Sequence, residues 1–348
     1  MKTLKSALAT TLWIASLIFL FSCKKDQAKQ DVIPKSVSSS TSEALLTPSG
    51  TWSAIAPFGG EKLVDGVGFS IGSKGYVGVG WDRSVSTGAF YEYNPQSNCW
   101  TLKSGFKGIP RTRAIGFSIG NKGYLGLGRN NTASYLKDFW EYDPATNQWT
   151  KKADFPGGIR AGAAAFSIGT KGYVGTGTSD DNLGYKQDFW EYDPATNQWT
   201  KKADFPGSPR YGALGISINN MGYIGFGIDV NTQGLKDFYE YNPGTDSWTR
   251  KNDIPGFGRS FAAGYTIGNK GFISGGSSLS PEFNGYAKDL WQYDPDTDSW
   301  VQLPNLPGVA RQGPVGFSIG NDGYIGTGYN DTVLGGQLGD IYVFKLDN

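Results

Sequence analysis

The sequence predicts an all-β chain, a six-bladed propeller with four antiparallel strands per blade, and three observations carry that expectation. First, the twenty-residue string DFWEYDPATNQWTKKADFPG occurs letter for letter at 138–157 and again at 188–207, with looser copies around it. A self-similarity period near fifty residues implies an array or a propeller rather than one continuous core. Second, two anchors recur in phase. Tryptophan stands at Trp52, Trp100, Trp149, Trp199, Trp248 and Trp300, and an aromatic or apolar residue followed by Ser/Thr-Ile at Phe69, Phe117, Phe166, Ile216, Tyr265 and Phe317. Both series advance by 48, 49, 50, 49 and 52 residues, so the module is written six times. Third, no stretch of helical period competes with the short, glycine- and aromatic-rich runs.

Taken in order, residues 1–22 read as a secretory signal. Lys2 and Lys5 make a positive start, Leu12 to Phe21 a short apolar run, and Ser22 a small residue before Cys23. Leu20-Phe21-Ser22-Cys23 resembles the lipobox of bacterial lipoproteins. That resemblance implies cleavage before Cys23, acylation of Cys23 and anchoring by several acyl chains. Lys24 follows the cysteine where aspartate would mark inner-membrane retention, so an outer-membrane lipoprotein is expected, on the periplasmic or the cell-surface side. Residues 23–50, poor in aromatics and rich in Lys, Ser, Thr and Gln, read as a flexible tether. The propeller is expected over 51–348. Without Lys2 and Lys5 the chain carries 30 basic against 31 acidic residues, a balance that excludes a nucleic-acid partner, which would need a basic face. A monomer is expected. With Cys23 acylated, Cys99 is expected to stand alone, without an intrachain disulfide.

Within the third copy, strand A is expected from Gly162 to Ile168, strand B from Tyr173 to Gly177, strand C from Phe189 to Tyr192, and strand D from Trp199. Asp193-Pro194-Ala195-Thr196-Asn197 has the chemistry of a tight turn. Gly175 and Gly177 are expected to leave room for a neighbouring sheet, and the tryptophans and tyrosines of strands C and D to fill the space between blades. The last copy stops after Ile341 to Phe344, its strand C. The orphan strand at Thr51 to Pro57 fits that gap and is expected to close the ring as the outer strand of the last blade.

A glycine-rich strand B followed by Tyr-Asp-Pro-x-Thr-x-x-Trp, repeated around the chain, resembles the Kelch repeat over roughly residues 51–348. The family's adjacent glycine pair is clear only at Gly275-Gly276 and is Gly-x-Gly elsewhere.

Strand alternation puts the B-to-C loops and the D-to-A connections on one face of the disc, and variable loops on a rigid scaffold are where binding resides. Six positions before the strand A anchor stand Arg111, Arg160, Arg210, Arg259 and Arg311, with Leu63 in copy one. Strand A is innermost in propellers, so these arginines are expected to ring the channel mouth. In related Kelch propellers, arginines at this position contact acidic ligands, and the resemblance implies the same here. Tyr135, Tyr185, Tyr286 and Tyr329 on the loops would stack on sugar rings or peptide side chains. A structural reading stands beside this one. Asp138, Asp188, Asp237, Asp289 and Asp340 open strand C in the same five copies, and copy one has Ala89, as expected of a repeated ion pair. Glu92, Glu141, Glu191 and Glu240 are further partners for the arginines.

The chain has no histidine. Galactose oxidase, a Kelch-type propeller, builds its copper site with histidines, so that activity is excluded, as are histidine-based zinc sites and Ser-His-Asp triads. Asp294 to Asp298 is only faintly like a calcium loop, and no P-loop occurs, so no metal and no cofactor are expected. Two functions remain: a binding scaffold for a glycan or an envelope protein, the ligand being anionic, or an enzyme resembling the sialic-acid mutarotases, secreted six-bladed Kelch proteins. No motif singles out a catalytic carboxylate.

Overall fold

A computed structural model describes residues 48–59, 62–82, 85–180, 184–231, 234–280 and 283–347. The expected signal peptide, Cys23 and most of the tether lie outside the described residues. From Gly50 onward the chain forms six four-stranded antiparallel sheets, the blades of a propeller, and two small hairpins. The third blade runs Ala164–Ile168, Lys171–Gly175, Phe189–Asp193 and Gln198–Lys202 from the axis outward. Strand A starts two residues later than expected, and strand B ends two residues earlier. The reason is local: Gly162, Thr176 and Gly177 are all left-handed (φ +61°, +61° and +99°), so the chain leaves the sheet at both points.

The last blade has three strands of its own, Val315–Ile319, Asp322–Gly326 and Ile341–Leu346. Its fourth is the N-terminal strand Gly50–Ala54, which pairs antiparallel with Ile341–Leu346 in the register Trp52↔Phe344. The ring is closed by the N-terminal strand, and the outer edge of Ile341–Leu346 is covered.

Two repeated contacts join the blades. The strand A anchor of one blade packs on the second residue of strand B in the next: a Cβ at Gly172 would lie 2.4 Å from the Phe117 ring, and one at Gly323 would lie 1.9 Å from Tyr265. Only glycine admits that approach. The neighbouring blade is therefore met at Gly172; Gly175 instead faces Phe189 of its own blade, and Gly177 the Ala161 carbonyl. The second contact explains the turn motif. Asn147, left-handed at φ +55°, accepts hydrogen bonds from the Tyr142 hydroxyl (2.8 Å) and from the Ser104 N–H of the preceding blade (2.9 Å). Trp149 Nε1 donates to the Ser104 carbonyl (3.0 Å), so one residue is held at both its backbone groups. The same two-point clasp recurs with Asn98 and Trp100 on Ala56, Asn197 and Trp199 on Ala153, Asp246 and Trp248 on Ala203, and Asp298 and Trp300 on Asn252. At the closing strand Trp52 donates to the carbonyl of Pro304, a residue with no N–H to offer. The tryptophans thus fill the space between blades, packed against rings such as Phe90 and Phe106.

Cys99, expected as a lone thiol, is disulfide-bonded in the full-length chain. The only other cysteine of the sequence, Cys23, lies outside the described residues. Two thiols in one chain pair under oxidising conditions unless one sulfur is consumed by other chemistry.

Candidate functional site on the loop face

The five repeated arginines are not at the channel mouth. Arg111, Arg160, Arg210, Arg259 and Arg311 are completely buried, each turned back into its own blade. Each guanidinium lays both Nη groups on the carboxylate that opens strand C: Arg111 on Asp138 (2.6 and 2.7 Å), Arg160 on Asp188 (2.8 and 2.9 Å), and Arg259 on Asp289 (2.7 and 2.7 Å). Arg210 does the same on Asp237 and Arg311 on Asp340. Nη1 also reaches the carbonyl of the residue just after strand B, Leu127 in the case of Arg111. Four of the five cover a phenylalanine ring, with Arg160 4.5 Å from the centre of Phe155. Burial opposes the charged form of Asp138, but hydrogen bonds from Arg111 and Trp140 outweigh it and hold the carboxyl below its usual range; Asp188 and Asp340 behave alike. A planar fork met by a bidentate partner and sealed from solvent presents no accessible donor to a ligand. The expectation that these arginines bind one is corrected: they are blade clamps. The glutamates are not their partners either. Glu92, Glu141, Glu191 and Glu240 accept from the hydroxyls of Tyr76, Tyr124, Tyr173 and Tyr223. The carboxylates of the calcium-like turn are likewise engaged, Asp294 by Lys270 and Asp298 by Tyr293.

The channel mouth is ringed instead by the residues four before each anchor: Asp65, Arg113, Gly162, Gly212, Phe261 and Gly313. The N–H of each donates to the carbonyl of its equivalent in the preceding blade, and the six bonds close into a circle (2.8–3.3 Å). Every member is left-handed, with φ from +52° (Asp65 and Phe261) to +67° (Gly212). Glycine suits that conformation. Side chains there are disfavoured by roughly 1–2 kcal/mol, so Asp65, Arg113 and Phe261 stand where the fold would accept glycine, and strain retained in this way points to function.

Those three side chains make one unit. Arg113 Nε donates to Asp65 Oδ2 (2.9 Å), and its guanidinium lies 4.8 Å from the centre of the Phe261 ring. Burial alone would lower the Arg113 pKa, but the adjacent Asp65 carboxylate reverses this and holds it above the ordinary arginine value. Among the described residues, neither Nη group of Arg113 has a hydrogen-bond acceptor, and its side chain is 29% exposed.

Two cavities flank Arg113 there. The smaller, of about 260 Å³, is lined by Val64, Asp65, Trp81, Thr112, Arg113, Arg129, Gln312 and Tyr329. It holds two arginines against one aspartate, and the Arg129 side chain has no ion pair among the described residues. The larger, of about 650 Å³, runs over blades 4 to 6 between Tyr211, Phe261, Leu279, Phe283, Tyr286 and Asn330. Gln312 lines both, its amide oxygen accepting from Ser277 Oγ (2.8 Å). Beneath the ring, the central channel is a narrow space of about 190 Å³ walled by small strand A residues such as Gly116 and Ala165.

The four loop tyrosines all lie on this face. Tyr329 lines the smaller cavity and Tyr286 the larger, their rings 6.3 Å apart and edge to face. Tyr185 packs on Tyr211 (5.0 Å), which meets Phe261 (5.5 Å), so Tyr185 supports the wall from behind. Tyr135 pairs with Arg129 through the backbone. Arg113, Arg129, Asp65, Trp81, Tyr211 and Gln312 escaped the sequence reading. For Asp65 and Arg113 the signal is the departure from glycine at the fourth position before the anchor; the other four come from separate loops and carry no such mark.

Against known families, the KLHDC2/KLHL20/DRC7 Kelch-repeats domain profile matches residues 67–258 and, in a second placement, 162–348. No curated protein matches the chain. Among solved structures, that of YjhT superposes with a TM-score of 0.70 at 17% identity, covering 84% of this chain and 99% of that one. At that identity the likeness shows the fold alone, and 776 solved chains match, so fold does not select a function. The chain belongs to the Kelch-repeat family of β-propellers.

Proposed function

We propose that this propeller is a binding module, held at the outer envelope by lipid on Cys23, and that it takes an acidic sugar of a glycan in the loop-face depression around Arg113. The observation that carries this reading is the presence in one small cavity of Arg113, braced by Asp65 and Phe261, together with Arg129. Arginine forks suit a carboxylate, and Trp81 and Tyr329 beside them offer faces for a sugar ring. Cavities of this size enclose a small ligand; a protein partner would need a surface of roughly 800 Å².

One observation favours the catalytic alternative, a sialic-acid mutarotase-like sugar epimerase. Asp331 lies beside Tyr286 on the wall of the larger cavity; burial, and then that carboxylate, raise the Tyr286 phenol above its ordinary pKa. A carboxylate–phenol couple is the material of acid–base catalysis. NMR of N-acetylneuraminic acid decides. Saturation transfer to the sugar without faster anomer exchange supports the module, and accelerated exchange that Asp331→Asn abolishes selects the enzyme. Neither transfer nor acceleration would remove the acidic-sugar reading.

A further inference from the structure

The two cavities meet at Arg113 but differ in chemistry, and the difference describes the ligand. The smaller one is cationic and polar. The larger one is walled by Ile228, Phe261, Leu279, Phe283, Tyr286 and Ala310. Around it the loops of three successive blades raise apolar side chains into solvent: Val230 is 82% exposed, Leu279 61% and Leu334 100%. These are three of the six large exposed hydrophobics among the described residues; Leu279 lines the cavity, and Val230 and Leu334 each stand two residues along the chain from lining residues, Ile228 and Thr332. The loop on the opposite side, in blade 2, is polar: Asn130 Oδ1 accepts from the N–H groups of Thr132 and Ser134. Clustered exposed apolar residues beside a polar site mark an interaction surface.

The apolar wall is also built and held. Among the described residues, blade 5 alone of these three carries an added hairpin, Ser277–Ser280 paired with Phe283–Tyr286. Phe283 stacks on Phe257 with centroids 3.7 Å apart, and Phe257 lies under the guanidinium of Arg259, itself clamped to Asp289. The hairpin is thus fixed to the blade framework rather than to a ligand.

Building on the acidic-sugar reading, we infer that the sugar recognised here is linked to an apolar group. Its carboxylate sits between Arg113 and Arg129, while an aryl or acyl aglycone lies over Phe261 and against Leu279 and Phe283. Arg113, common to both cavities, fixes the junction between the two parts.

Calorimetry on the intact protein tests this with three probes: the methyl and phenyl glycosides of N-acetylneuraminic acid, and phenyl glucoside. The phenyl sialoside is expected to bind at least about tenfold tighter than the methyl sialoside, the gain typical of filling an apolar pocket. Leu279→Ser, at a position 61% exposed, should bring the phenyl sialoside down to the affinity that the same variant shows for the methyl sialoside. Arg129→Gln should weaken both sialosides equally. Equal binding of the two sialosides overturns the inference and leaves the acid site standing. Phenyl glucoside binding as well as phenyl sialoside, or a gain that survives Leu279→Ser, also overturns it, since the apolar contact would then be unspecific. No binding of either sialoside removes the acid site and the inference together.

Discussion

If the repeated arginines are clamps, removing one clamp partner should damage the fold and leave the ligand site alone. Asp237→Ala is the sharpest case. Arg210 is fully buried, with Nη1 on Asp237 Oδ1 (2.5 Å) and the Phe226 carbonyl (3.0 Å). Its Nη2 reaches Asp237 Oδ2 (2.7 Å) and Ser208 Oγ (3.1 Å), and Nε the Ser208 carbonyl (2.9 Å). Its face lies 4.8 Å from the Phe205 centre. Deleting the carboxylate strands a desolvated cation, a loss of about 3–5 kcal/mol. Arg210→Met removes the cation and leaves an aspartate that still reaches solvent, since its side chain is 15% exposed, so its loss should be smaller. The double variant should be far less destabilised than the sum, because no charge is left unpaired. A coupling of about 2 kcal/mol or more is expected, well above the additive scatter of roughly 0.5 kcal/mol. Urea unfolding followed by tryptophan fluorescence measures it. A loss under about 1 kcal/mol for Asp237→Ala, with additive singles, would refute the clamp and return these arginines to the list of ligand contacts.

Other expectations follow from the same geometry. Deleting residues 49–58 uncovers the edge of Ile341–Leu346 and should unfold or aggregate the body; a soluble truncation with native fluorescence would count against the closure. Tyr76, Tyr124, Tyr173 and Tyr223 are raised by burial and then by their glutamate partners, and Tyr93 is pushed up to about 12 by burial and Asp322. Since these folded values exceed the unfolded value of about 10, the stabilisation is present below that pH and lost as pH rises through the folded values. Tyrosinate absorbance should therefore appear together with unfolding, and a smooth titration near pH 10 with the fold intact would be the contrary result. At the acid end the depressed Asp138, Asp188 and Asp340 contribute above about pH 4 and lose that contribution as pH falls through their lower folded values. If Cys23 carries the proposed lipid, Cys23→Ser should move the protein from the membrane to the soluble fraction. Membrane fractionation unchanged by that substitution would contradict the lipid anchor.

The fold was legible because the letters that repeat are the ones that build blades. Phe117 needs Gly172, Trp149 needs Ser104, and the missing last strand needed Trp52; each contact joins neighbouring modules and so recurs at fixed phase. The same legibility misled at Arg111 and its four equivalents. A residue repeated in five blades serves what the five blades share, and their shared partner is the strand C aspartate. The candidate site lay where the phase holds but the residue changes, at Asp65, Arg113 and Phe261 among three glycines. The cavity walls were hidden for a different reason. Tyr211, Leu279, Gln312 and Arg129 come from separate loops, and their convergence depends on blade geometry that no local spacing encodes.

The most direct test is a titration of the intact protein with N-acetylneuraminic acid, in parallel with Arg129→Gln and Arg160→Met. Arg129 lines the cavity and Arg160 is sealed in its blade. Saturable binding should weaken by about tenfold or more in Arg129→Gln, as expected for losing a charge-assisted contact of roughly 1.5–3 kcal/mol, and should persist in whatever folded fraction Arg160→Met retains. Binding indifferent to Arg129 but lost from folded Arg160→Met would contradict the placement of the site at the mouth of the ring.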